Sequence, residues 1–136
     1  MSQKITNITE ATAAFKQLRR FIGSAQIEAM ADMCRTEEKK FMYDKLAEVL
    51  NIVETMPKTY ETDGQGKAAV VCLHYFIGGC DWYITERDMM PDQLQAFGLA
   101  DLGHGGELGY ISIVEIIAAG AELDLYWMPK PLSECK

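Results

Sequence analysis

Two hydrophobic periodicities divide the chain. In the first third, apolar residues recur every three or four positions; from about Ala68 onward they alternate or gather in short runs broken by glycine. Asn7 with Glu10 has the form of a capping box, and Ala14, Phe15, Leu18, Phe21 and Ile22 follow at helical spacing. Gly23 and Ser24 end that helix and open a second, Ala25 to about Cys34. Thr36 offers an N-cap to a third, with Glu37 and Glu38 in its first turn and Met42, Leu46, Val49, Leu50 and Val53 as its apolar stripe. Pro57 lies just past its end.

After the polar connector ETDGQGK the spacing predicts strands. Ala68 to Ile77 and Cys80 to Glu86 form one hairpin around Gly78-Gly79. Gln95 to Leu102 and Glu107 to Ile111 form a second, around Gly103-His104-Gly105-Gly106. Ser112 and Glu115 cap a short helix that Gly120 closes, and Glu122 to Trp127 reads as a last strand before Pro129 and Pro131. The expectation is one compact α+β domain. Residues 1–55 supply N-terminal helices packed on one face of an antiparallel sheet, and residues 60–136 supply that sheet, with two hairpins, a final strand and the short helix.

With a two-residue turn, Ile77 faces Cys80, Tyr75 faces Trp82 and Leu73 faces Ile84. Alternation then gathers Val71, Leu73, Tyr75, Ile77, Cys80, Trp82 and Ile84 on one apolar face. Cys72, His74, Phe76, Asp81, Tyr83 and Thr85 fall on the other. His74, Asp81 and Tyr83 together have the chemistry of proton transfer, as in a small hydrolase or nuclease-like enzyme, or of a cross-strand polar patch. No nucleophile motif or phosphate loop accompanies them, since GHGGELG is followed by strand rather than helix. No catalytic residue is therefore assigned.

The chain has 136 residues, enough to bury roughly two-thirds of its unfolded surface. Its four cysteines, Cys34, Cys72, Cys80 and Cys135, show no C-x-x-C spacing, and the register puts Cys72 and Cys80 on opposite faces. Neither a metal site nor a cofactor is expected, and reduced, packed thiols are. The start MSQKITNITE lacks an apolar signal core and no run is long enough to cross a bilayer, so a cytoplasmic location without membrane contact is expected.

The net charge of -7 is unevenly placed. Residues 1–60 carry nine basic and eight acidic side chains, whereas residues 86–136 carry three and nine. Such a half repels phosphate, which argues against direct nucleic-acid binding and for a protein partner with a basic surface. Glu86, Asp88, Asp92, Asp101, Glu107 and Glu122 gather near strand ends without the order of an EF-hand. The expected binding surface comprises His74, Asp81, Tyr83, Asp101, Glu107, Tyr110, Glu122 and Asp124. A homodimer through the N-terminal helices would use Phe15, Leu18 and Ile22.

Several blocks follow one another in order: MPKTYET at Met56 to Thr62, DWYITERD at Asp81 to Asp88, AFGLAD at Ala96 to Asp101, ELGYIS at Glu107 to Ser112, and ELDLYWMPKPLSE from Glu122. Over about residues 56–134 the chain resembles a family of small proteins spread on bacterial plasmids, phages and integrated elements and catalogued only as a domain of unknown function. The resemblance implies a mobile-element origin and an α+β fold. It implies no reaction or cofactor, and its marked residues, Trp82, Tyr83, Phe97, Gly98, Glu107, Gly109, Tyr110 and Asp124, suit a structural signature or a recognition surface. The expected function is a non-enzymatic acidic interaction protein that binds a host or element protein, as an inhibitor of a nucleic-acid-handling or anti-phage defence complex.

Overall fold

The computed structural model describes residues 4–58, 61–62, 64–87 and 96–135. Asp88, Asp92 and the start of the second predicted hairpin at Gln95 lie outside the described residues. The fold is α+β, and the chain divides into two compact units, Met1–Thr55 and Met56–Lys136.

The first unit holds helices α1 (Ile8–Gln17), α2 (Ser24–Met33) and α3 (Lys39–Thr55), with α1 and α2 each touching α3. Asn7 caps α1 as its spacing predicts: the Glu10 amide donates to Asn7 Oδ1 at 2.9 Å. The Glu10 carboxylate reaches back one residue further than a capping box, accepting from the amide and hydroxyl of Thr6. The Thr6 amide holds that carboxyl below its usual range. Thr36 accepts from the Glu38 amide, but α3 begins only at Lys39, so Glu37 and Glu38 precede the helix rather than occupy its first turn. The α3 stripe of Met42, Leu46, Val49, Leu50 and Val53 is buried throughout. Phe15, Leu18 and Ile22 are buried as well.

In the second unit, β2 (Leu73–Ile77), β3 (Cys80–Glu86), β4 (Ala96–Asp101), β5 (Gly106–Ile111) and β6 (Glu122–Leu123) form an antiparallel sheet in the order β5-β4-β3-β2-β6. Helix α4 (Ile113–Ala118) follows β5, capped by Ser112, whose hydroxyl accepts from the Glu115 amide. The β2–β3 register pairs Leu73 with Ile84, Tyr75 with Trp82 and Ile77 with Cys80. Leu73, Tyr75 and Ile84 are buried, in keeping with one apolar face, whereas Val71 packs beside Tyr83 and Leu99 of the other.

Two predicted strands are cut short. The run from Ala68 is not one strand: Gly66–Ala68 is a 3-10 turn, and β1 (Val70–Val71) leaves the main sheet to pair with β7 (Lys130–Pro131). The final strand stops at Leu123 rather than Trp127, because the Asp124 side chain accepts from the Tyr126 amide and folds the backbone into a turn. Leu132 and Cys135 pack with Val71 in a cluster flanked by Tyr83, Leu99 and Trp127. Cys135 is thus buried, and among the described residues no cluster suited to a metal occurs.

Candidate functional site

The site grows from two cross-strand rows on one face of the sheet. Its first row runs Asp124, His74, Tyr83, Leu99 and Leu108 across β6, β2, β3, β4 and β5. Here Asp124 extends the β6 pairing by one residue, its amide donating to the His74 carbonyl at 2.8 Å. The second row runs Glu122, Phe76, Asp81, Asp101 and Gly106.

His74 links the rows. Its Nε2 lies 2.8 Å from Asp81 Oδ1 and its Nδ1 lies 3.1 Å from Asp124 Oδ2. Both contacts are hydrogen bonds at once only when the ring carries two protons; a neutral imidazole donates to one carboxylate alone. The ring stacks on Tyr83 at 4.9 Å and 10° and meets Trp127 at 4.9 Å, while Tyr83 and Trp127 are 5.8 Å apart, so the three close a triangle. Phe76 borders it from the same strand as His74, at 5.9 Å. Only 13% of the His74 side chain meets solvent.

Trp127 is held in turn. Its indole N–H donates to the Val71 carbonyl at 2.9 Å, and Lys130 Nζ sits 5.0 Å from its ring centre. Burial, and after it the nearby Asp81 charge, pushes the Tyr83 phenol above its usual range. Beside Tyr83 an open pocket of about 450 Å³ has Leu99, Leu108 and Leu132 on its apolar side and Lys67 and Asp101 among its polar groups.

Of the residues expected to form a surface, His74, Asp81, Tyr83 and Asp124 are in contact. Asp101 and Glu122 extend the Asp81 row, and Tyr110 lies on the same face one strand further out, edge-on to Phe97 at 5.6 Å. Glu107 does not join them. Paired with Ala100 and one residue out of phase with Leu108, it belongs to the opposite face. The sequence reading missed Trp127, which it placed in a strand. The available signal was Asp124 two residues before Tyr126, the spacing of a side chain that caps its own turn. Each imidazole nitrogen thus lies within hydrogen-bonding distance of a carboxylate.

A family model described as "Protein of unknown function (DUF2958)" matches residues 41–128. The match begins inside α3, fifteen residues before the recognised blocks, and stops at Met128 within the last of them. No curated protein and no solved structure matches the chain.

Proposed function

The chain belongs to the DUF2958 family, whose description carries no activity, and from the site itself we propose that the protein is a non-catalytic recognition module for a basic protein surface. One observation carries this reading. The row Glu122, Phe76, Asp81, Asp101 places three carboxylates and a 38%-exposed phenylalanine side by side on one face of the sheet. Asp81 stands directly opposite Asp101, and like charges in that position weaken a sheet by a few tenths to about 1 kcal/mol. A fold has no use for that cost, whereas a surface that must attract a cationic partner does. Exposed Tyr126 and Met128 flank the inward-turned Trp127 and add apolar area of the kind found at protein interfaces.

The partner class that fits is a protein with a basic, phosphate-binding face. We place it among the nucleic-acid-handling or anti-phage defence complexes met by a plasmid or phage, with the acidic row inhibiting by covering that face. The locked His74 weighs against the hydrolase or nuclease-like alternative through His74, Asp81 and Tyr83. Capture from host lysate at low and high salt tests the proposal, using the native chain and an Asp101→Asn, Glu122→Gln double variant whose fold is checked by its unfolding curve. A specific partner should be held by the native chain at low salt and lost with salt or with the variant. The proposal fails if the native chain holds none, or if the variant holds the same partner equally well.

A further inference from the structure

We propose that β5 is a strand-addition site, whose backbone edge takes up an extended, basic segment of the partner as a sixth strand of the sheet. This rests on the recognition reading above and adds a second contact at the sheet border, where Glu107 stands on the face opposite the acidic row.

Among the described residues β5 is one border of the five-stranded sheet, and it is the long one: six residues pair with β4, whereas β6 at the other border has two before the Asp124 turn. A border strand exposes alternate backbone N–H and C=O groups, and proteins ordinarily guard it with proline, lysine or a bulge. The β5 sequence GELGYI has no proline and no basic residue, and its one charged side chain is Glu107. Its register against β4 runs through six consecutive pairs without a shift, unlike that between β3 and β4, which shifts between Ile84 and Glu86. Leu108 and Tyr110, exposed by 47% and 56%, stand on one face of this border, and Glu107 stands exposed on the other.

That layout specifies the occupant. Side chains on an added strand meet those of β5 on the same face, so apolar or β-branched residues would lie against Leu108 and Tyr110. Alternate basic residues would lie on the face of Glu107. A second copy of this chain fits less well. Residues 56–136 carry five basic and twelve acidic side chains, so pairing two such sheets edge to edge sets like charge against like.

The test titrates the isotope-labelled full chain with a short peptide alternating lysine and valine, its fully N-methylated counterpart, and a peptide alternating glutamate and valine. The lysine peptide should shift and protect amides from Glu107 to Ile111. N-methylation, which keeps charge and side chains but removes every N–H donor, should weaken binding at least about tenfold. Glu107→Lys, at an exposed position, should reverse the preference toward the glutamate peptide. Equal binding of the N-methylated peptide overturns strand addition while leaving acidic recognition standing. So does failure of all three peptides when the lysate partner is still captured in a salt-dependent way. If β5 amides are already protected and sedimentation shows a dimer, a second copy holds the edge and the proposal is wrong. Loss of lysate capture as well as peptide binding removes the recognition reading too.

Discussion

Removing the imidazole of His74 would leave Asp81 and Asp124 without the group that both bind, and would take from Trp127 one of its two ring neighbours. The carboxylates are about a third exposed, so each contact is discounted from the range of a buried charge-assisted bond. In a double-mutant cycle of His74→Ala with Asp124→Ala, denaturant unfolding should give a coupling of about 1 kcal/mol. Additive losses would mean that the turn stands without the imidazole. Tyr83 supplies a pH test. Its folded phenol is pushed up from the ordinary value near 10, so the folded state keeps its proton to higher pH than the unfolded chain. The resulting stability is fully present below about pH 10 and is lost as pH climbs through the folded value, so Tyr83→Phe should flatten the alkaline decline. An identical decline in the variant would assign the loss elsewhere, first to Tyr75, whose burial pushes its phenol in the same direction. At this scale the grouping of His74, Asp81 and Tyr83 was legible because strand alternation and a two-residue turn are local rules. Trp127 was not, because its place depends on a turn set by Asp124 and on a Val71 carbonyl 56 positions away in sequence.

Elements were legible where one period held without interruption, as in the α3 stripe and the β2–β3 register. The run AAVVCLHYFI misled because nothing in it marks a break. Val70 and Val71 part from β2 since their partners, Lys130 and Pro131, arrive from the far end of the chain. Two glycines show how a hairpin and a bulge are fixed. Gly78 opens the β2–β3 turn at φ +57°, whereas Gly79 has no positive φ and open space around it. Gly78→Ala should therefore cost about 1 kcal/mol, and Gly79→Ala should be neutral or slightly stabilising, read by thermal unfolding. Gly98 sits where β4 approaches the irregular stretch of β3: a Cβ there would meet the Tyr83 carbonyl oxygen at 1.9 Å and Ile84 Cα at 2.9 Å. Neither backbone atom can swing aside, so Gly98→Ala should destabilise by about 3 kcal/mol or prevent folding. A near-native unfolding midpoint in that variant would mean that the β3–β4 approach is looser than described.

For the whole molecule, charge separates the two units more sharply than composition does. Residues 1–55 hold eight basic and eight acidic side chains, so the entire net charge of -7 belongs to residues 56–136. In the neutral helical unit lysine and arginine pair with carboxylates, as at Arg35–Asp32, Lys40–Asp44 and Lys45–Glu48. In the sheet unit, Asp81 and Asp124 meet His74 and Asp101 meets the Gly103 amide, while buried Glu86 accepts from the amide and hydroxyl of Thr62. Amide contacts orient a carboxylate without cancelling its charge, so the acids of that unit repel one another through solvent. Raising ionic strength from about 0.01 M to about 0.15 M shortens the screening length from about 30 Å to about 8 Å, enough to uncouple charges on different strands and loops. Thermal unfolding of the full chain should therefore move to higher temperature over that range, and less so in an Asp101→Asn, Glu122→Gln variant. A midpoint that stays flat or falls with salt would show that the acids are compensated one by one, and would remove the long-range attraction on which recognition of a basic partner depends.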